Sequence, residues 1–127
     1  MATIRLLGDA RQSILAALKY SLQEHGEDAT VRYAALINQA ITDFAGNPDA
    51  RTVRRMEHPG KKKILLRYDL PLSQNNIPSG IGRVARPRHF LVGHLEGDVP
   101  RILFLAHDRM KPENILRRSR RSDMKDD

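Results

Sequence analysis

The residues best suited to chemistry lie in one short run near the end of the chain. That run reads His107, Asp108, Arg109, Met110 and Lys111. His107 follows an apolar segment, and a histidine at a strand end can project into a cleft, where its reference pKa of about 6.5 permits acid or base work near neutral pH. Cations such as Arg109 can stabilise charge on a phosphate. The alternative is that His107 anchors the following turn through a hydrogen bond, because a lone histidine is poor evidence for catalysis.

The elements that must position this run begin with two helices. Apolar residues recur at helical spacing over residues 9–25 and again over residues 27–44. Gly26 separates the two segments, and the Gly-Asn-Pro sequence at 46–48 ends the second. Since the break is short, the pattern predicts an antiparallel helix hairpin whose apolar faces need a further element to cover them. Weak alternation over residues 2–7 predicts a short first strand.

Three later apolar runs have the length and composition of strands. They cover residues 64–68, 88–95 and 101–106. The last two are joined by Glu-Gly-Asp-Val-Pro at 96–100, a reasonable hairpin connection, so they should pair antiparallel. Gly93 inside the second run can mark a bulge. The sequence therefore predicts an α+β fold, with an N-terminal helix hairpin packed on a small, mainly antiparallel sheet and a short C-terminal helix.

The remaining segments read as connections and a tail. Residues 49–63 are polar and basic, which predicts a loop or a short helical turn, and residues 69–87, with three prolines and two glycines, predict the longest loop. Pro112 suits the first turn of the C-terminal helix. We expect a single domain over residues 1–116 and a charged, flexible tail over residues 117–127.

Composition limits the class of protein. A chain of 127 residues without cysteine can bury one core and forms no disulfide, which predicts a reducing, cytoplasmic location without a signal peptide or a membrane span. Charge is uneven, because residues 1–50 carry a net −2 and residues 51–127 a net +9. A basic second part suits a polyanion, either nucleic acid or an acidic protein segment; the alternative is a solvated surface that keeps the protein soluble.

Other chemistries find little support in the residues. His89 and His94 lie five apart on a predicted strand and thus on opposite faces, so we expect no metal site there. The Ser-Gly-Ile-Gly segment at 79–82 lacks the third glycine of a dinucleotide fingerprint and the Gly-Lys-Ser/Thr of a phosphate loop. No Gly-x-Ser-x-Gly nucleophile elbow occurs. We predict neither a metal nor a cofactor.

Taken in order, several segments resemble the RelE/ParE family of bacterial toxins, in particular its ParE-like branch. The segment 41–48 is similar to the family's second helix with its Asn-Pro stop, and 64–68 resembles the first strand of its main sheet. The segment 86–92 resembles the following strand in ParE-like members. Finally, 102–110 is similar to the closing strand, which commonly runs into a His and then an Arg-Met pair. The resemblance covers residues 10–116.

The resemblance implies the toxin of a type II toxin-antitoxin pair, held inactive by a cognate antitoxin with an acidic or disordered wrapping segment. ParE members poison DNA gyrase, whereas RelE members cut messenger RNA on the ribosome; a third alternative is a toxin-like protein that only binds an antitoxin. The gyrase interpretation implies a target-binding surface at His107, Asp108, Arg109 and Met110. A nuclease would draw on His107, Arg109, Arg67 and Lys111. RelE-type nucleases often carry a tyrosine or a dense basic cluster close to the C-terminus, and the lack of a tyrosine after Tyr68 favours gyrase.

Basic residues outside that run are the expected contacts for an antitoxin or another polyanion. They are Lys61, Lys62, Lys63, Arg67, Arg86 and Arg88. For the lysine run the alternative is a solvated turn. The arginines of the tail, from Arg117 to Arg121, are expected to be a solubilising segment rather than a binding site.

Overall fold

The computed structural model describes residues 5–6, 8–56 and 64–123, and within that part the chain forms two α-helices, one 3-10 helix and five strands. The helices are α1 (Gly8–Gly46) and α2 (Pro112–Asp123), and the 3-10 helix is Leu70–Asn76. The strands are β1 (Arg5–Leu6), β2 (Arg54–Met56), β3 (Leu65–Asp69), β4 (His89–Glu96) and β5 (Val99–His107). No helix in the described ranges is long and apolar enough to cross a membrane.

Helix α1 is broken at Gly26, where the backbone leaves helical geometry with φ 87° and ψ −179°. Glycine adopts this positive φ without the penalty that a Cβ would impose. Across the break the Thr30 hydroxyl lies 3.1 Å from Ser21 Oγ, although the two residues are nine positions apart. In a continuous helix that separation would be about 14 Å along the axis. The two arms of α1, before and after Gly26, therefore fold back on each other, and the predicted helix hairpin is confirmed.

The sheet has the strand order β1-β5-β4-β3-β2, in which β1 runs parallel to β5 and every other pair is antiparallel. The predicted β4–β5 hairpin is confirmed, with His89 opposite His107 at one end and Glu96 opposite Val99 at the other. The register shifts between Val92 and Gly93, as the glycine predicted. A Cβ at position 93 would lie 2.5 Å from the carbonyl oxygen of Arg101, so only glycine fits this close backbone approach.

Two apolar clusters cover the two faces of the sheet. On the face that packs against α1, called the hairpin face below, the cluster includes Leu36, Ile37, Ala40, Phe44, Leu66, Tyr68, Leu91, Ile102 and Leu105. On the opposite face, the α2 face, the cluster comprises Leu65, Phe90, Val92, Leu103, Phe104, Ala106 and Ile115. Alternate strand residues supply the two clusters because successive side chains point to opposite faces. The exception is the register shift opposite Val92 and Gly93, where the consecutive residues Leu103 and Phe104 both lie in the α2-face cluster. The sheet is thus a central layer with a helix on each side.

Two predicted loops contain regular structure. Residues 49–63 include β2, which pairs with β3 so that Arg54 lies opposite Arg67. The predicted loop 69–87 begins with the 3-10 helix. Asp43 of α1 fixes that helix, since its carboxylate accepts hydrogen bonds from Ser73 Oγ at 2.6 Å and from the Asn76 side chain at 2.9 Å. These bonds hold the pKa of Asp43 below its usual value against the opposing effect of burial.

The C-terminal helix differs from the expected boundary, because α2 continues past Leu116 to Asp123. Arg118 explains the extension: its guanidinium donates two hydrogen bonds of 3.1 Å to the Asp9 carboxylate and lies over the Phe104 ring at 4.5 Å. Ser119 is buried beside it. Asp9 lies within the first turn of α1 and forms this ion pair with Arg118. Residues 117–123 therefore belong to the folded unit.

Candidate functional site

A cavity of about 720 Å³ lies on the hairpin face, between the arms of α1, the segment before β4 and the ends of β4 and β5. The first arm contributes Ser13, Ala16, Ala17, Tyr20, Ser21 and His25, and the second arm contributes Ala29, Arg32 and Tyr33. The rest of the wall is Val84, Ala85, Arg86, Pro87, Arg88, His89, Leu105, His107 and Arg118. Its volume is in the range of pockets that bind small molecules, about 300 to 1,000 Å³.

Tyr33 and two histidines form the inner part of this cavity. The Tyr33 hydroxyl and His89 Nδ1 are hydrogen-bonded, and the rings of His89 and His107 meet edge-on with centroids 5.2 Å apart. Burial raises the pKa of Tyr33, and burial with the neighbouring His107 lowers the pKa of His89 to about 4. At neutral pH both groups are uncharged. The Tyr33–His89 hydrogen bond ties the second arm of α1 to the start of β4.

Asp108 joins the ends of β4 and β5 at the cavity rim. Its carboxylate accepts a hydrogen bond of 2.7 Å from Arg88 Nε, and its backbone N–H donates to the Arg88 carbonyl at 2.7 Å. The Arg88 hydrogen bond holds the pKa of Asp108 below its ordinary value, and the same contact raises the pKa of Arg88. The pair remains ionised near neutral pH and fixes the turn that follows β5.

His107 has two partners at one nitrogen. Its Nδ1 accepts the backbone N–H of Arg109 at 3.2 Å and lies 3.1 Å from Asp108 Oδ1. A neutral imidazole can accept from Arg109 at this nitrogen, whereas a protonated one donates to Asp108. The turn-anchoring interpretation from the sequence is therefore present in the structure. The His107 side chain is still 42% exposed, so its ring is accessible at the cavity edge.

The predicted site residues do not all meet. His107, Arg86 and Arg88 line the cavity. Arg67 lies on the α2 face instead, where its guanidinium carbon is 3.8 Å from the centre of the Phe90 ring and its Nε is 2.9 Å from Asp69. The four residues that a nuclease would use, His107, Arg109, Arg67 and Lys111, are therefore divided between two sides of the sheet.

The run from His107 to Lys111 is also divided, between exposed residues and a residue that packs on the α2 face. Arg109 and Lys111 are exposed, and the Lys111 carbonyl accepts the first backbone hydrogen bonds of α2. Met110 packs against the α2-face cluster, as does Leu116, while Ile115 is fully part of it. Met110 therefore supports the surface rather than projecting from it. The predicted contacts Lys61, Lys62 and Lys63 lie outside the described residues.

Tyr33 and Arg32 are among the cavity residues that were not predicted from the sequence. Tyr33 sits in the apolar stripe of the second arm, and Arg32 precedes it. The signal for Tyr33 was its hydroxyl, because a buried tyrosine normally finds a hydrogen-bond partner. That partner, His89, is 56 positions away, so the pairing is visible only in the folded chain. Arg32 gave no such signal.

The described part of the chain contains no group of three or more His, Cys, Asp or Glu residues that could hold a metal ion. The cavity instead offers hydrogen-bonding rings and arginines, a set suited to binding anions or moving protons. No protein-family model, curated protein or solved structure matches the chain.

Proposed function

We propose that this chain is the toxin of a type II toxin-antitoxin pair, of the ParE-like branch of the RelE/ParE family, and that it acts in the cytoplasm by binding and poisoning DNA gyrase. The observation that carries the proposal is the layout: a helix hairpin on a mainly antiparallel sheet, closed by a strand that ends in His107 and is followed by a short helix. That layout is the one the sequence resemblance implied, and it puts His107, Asp108 and Arg109 at an exposed end of the sheet.

Binding rather than catalysis is favoured by the way these residues are held. Arg67 lies across the sheet from His107, and His107 Nδ1 is engaged by the Arg109 backbone. The Arg88–Asp108 pair makes the turn a fixed surface. A gyrase poison needs no bond made or broken by its own residues, since stabilising the cleaved-DNA state of the enzyme by differential binding is sufficient. A fixed, charged surface suits that role.

The helix hairpin supplies a surface for the antitoxin. Leu15, Leu22 and Val31 of its two arms are large apolar side chains that are 66%, 49% and 63% exposed. An acidic, disordered antitoxin segment could fold onto them and use the basic charge of the second part of the chain to accelerate encounter.

A ribosome-dependent endoribonuclease is the second candidate, and one observation favours it. His89 and His107 share a cavity with Arg86 and Arg88, and RNA cleavage needs an acid, a base and a cation at the phosphate. The two candidates differ in their response to His107→Ala. Removal of the ring would abolish a nuclease that uses it as acid or base, whereas a binding poison would weaken only by the share of the binding free energy that the ring supplies.

The test is a DNA-cleavage assay with purified gyrase, ATP and supercoiled plasmid. We expect the protein to cause accumulation of protein-linked linear DNA, released after denaturation. Arg109→Ala should reduce that accumulation, and Arg51→Ala, which alters an exposed arginine elsewhere on the surface, should not. No linear DNA from folded protein that still arrests growth would overturn the gyrase proposal and favour the nuclease.

A further inference from the structure

The cavity carries an excess of positive charge that the proposed function does not use. Four arginines line it, and two of them are compensated, Arg88 by Asp108 and Arg118 by Asp9. Arg32 and Arg86 form no ion pair within the described part of the chain, and no described Asp or Glu lines the wall. Uncompensated cations in a concave wall focus a positive potential and attract anions.

Arg86 is held in an unusual backbone conformation. Its φ is 50°, and among the described residues it is the one non-glycine residue with a positive φ. L-residues adopt this region at a cost, and such residues cluster where a side chain must be aimed at a ligand. The following Pro87 restricts the backbone further. Arg86 is a residue of the cavity wall, so this constrained backbone belongs to the site and not to an unconstrained loop elsewhere.

Arg32 meets the same segment from the second arm of α1. A Cβ at position 82 would lie 2.9 Å from Arg32 Cδ, so Gly82 leaves the space that the arginine stem occupies. Arg32 is half-buried. Its stem is confined while its charge has no described counterion. Two arginines from different elements are therefore positioned around one concave space.

The rest of the wall suits an aromatic, uncharged group. Tyr20, a residue of the cavity wall, is 60% exposed, and its ring lies at 78° to that of His25, so that contact is not a parallel stack. Ala16, Ala29 and Leu105 are apolar wall residues. Stacking of bases on aromatic side chains is a general source of affinity for nucleic-acid components.

From these observations we infer that the cavity binds a mononucleotide, with its phosphate at Arg32 and Arg86 and its base at Tyr20. The inference goes beyond the proposed function and does not rest on it. The combination that carries it is two uncompensated arginines, one strained into place, beside an exposed aromatic ring in a cavity of about 720 Å³.

Titration calorimetry of the full chain with AMP tests this inference, with adenosine and inorganic phosphate as partial ligands. We expect saturable binding of AMP that is at least about tenfold tighter than that of either part. Arg86→Gly should weaken AMP binding by about tenfold or more and keep the fold, since glycine accepts the positive φ without strain. Arg32→Ala should act in the same direction.

Arg51→Ala is the matched control, because it removes an exposed arginine that does not line the cavity. Its AMP affinity should stay within about twofold of the parent value, as expected for a distant site. No saturable binding of AMP at millimolar concentration would overturn the inference, as would equal losses in Arg86→Gly and Arg51→Ala. Binding of a 5′-phosphorylated oligonucleotide without binding of AMP would overturn it in favour of a nucleic-acid site. The gyrase assay is unaffected by these outcomes, so either proposal can fail alone.

Discussion

The two faces of the sheet differ in how completely their helices cover them. On the α2 face, Phe90, Val92 and Phe104 are fully buried beneath Ile115, and Arg118 closes the edge through Asp9. On the hairpin face, Tyr33 of the apolar cluster borders an open cavity together with His89 and His107. The closed face has the packing expected of a core that supplies stability, while the open face has the concavity and polar groups expected of a site.

The run from His107 to Lys111 contributes side chains to both faces of the sheet. His107 lines the cavity, whereas Met110, three residues later, packs on the α2 side. Arg67 similarly stacks on Phe90 of the closed face. Residues predicted to form one working end therefore line the cavity on one side of this sheet and pack against apolar side chains on the other. Substitutions on the closed face should change stability, and those at the cavity should change activity.

The largest expected effect is on the closed face. Phe104→Ala should lower the free energy of unfolding by about 3 to 5 kcal/mol, because it leaves a cavity in a fully buried cluster and removes the ring beneath Arg118. Urea denaturation followed by circular dichroism measures it. Leu72→Ala, at a side chain that is 41% exposed, is the control and should cost less than about 1 kcal/mol. Equal losses in the two variants would contradict a closed, well-packed face.

The open face should make stability depend on pH through His89. Its pKa falls from 6.5 to about 4 on folding, so in acid the unfolded chain takes up a proton that the folded chain refuses. The free energy of unfolding should therefore decrease as pH falls from 6.5 towards 4. After allowance for the partial exposure of the His89 ring, the free energy of unfolding should decrease by about 2 kcal/mol. Denaturation midpoints at several pH values measure it.

His89→Gln is the control for this titration, because glutamine cannot ionise but can still accept a hydrogen bond from Tyr33. The variant should show a shallower decline over the same pH interval. An unchanged decline would mean that other groups cause it and that His89 is not buried as described.

A smaller change in stability should show whether residues 117–123 pack against the fold or form a solvated tail. Arg118→Ala should lower the free energy of unfolding by about 1 kcal/mol, because it removes the hydrogen bonds to Asp9 and the cation–π interaction with the Phe104 ring. Arg117→Ala, on the exposed side of the same helix, should change it by less than about 0.5 kcal/mol. Thermal unfolding of both variants measures the difference. Identical behaviour would support the tail predicted from the sequence.

Substitution of His107 should cause the smallest change in stability and the clearest change in function. His107→Ala removes a partly exposed ring, so we expect a change in stability below about 1 kcal/mol. Growth arrest on expression should nevertheless weaken, because the ring borders the proposed target surface. Arg67→Ala removes a cation from the closed face and should leave growth arrest intact at equal amounts of folded protein. Weakened growth arrest with Arg67→Ala and intact growth arrest with His107→Ala would place the target-binding surface on the α2 face.

The sequence predicted the elements whose signals are local. Gly26 indicated the break between the helix arms, and Gly93 indicated the register shift between β4 and β5. Strand β2 was missed because Arg54, Arg55 and Met56 show no apolar alternation; their pairing with β3 creates the strand. The bounds of α2 were short because its last turns depend on Asp9, which is 109 positions from Arg118.

The candidate site was predicted only in part, for the same physical reason. His107 was found because it directly follows an apolar run that reads as a strand. The contact between Tyr33 and His89 joins residues of different elements, and the separation of Arg67 from His107 follows from strand register. Neither could be derived from spacing along the chain. Alternation along a strand predicts which face of the sheet a side chain occupies. It does not predict which side chains of other elements lie in the same cavity.

The gyrase assay with paired variants from the two faces is the decisive experiment. We would measure protein-linked linear DNA formed by gyrase with the parent chain, His107→Ala and Arg67→Ala at equal concentrations of folded protein. We expect accumulation with the parent chain, a reduced amount with His107→Ala and an unchanged amount with Arg67→Ala. Absence of linear DNA with a folded, growth-arresting parent chain would contradict a gyrase-binding surface at the end of β5.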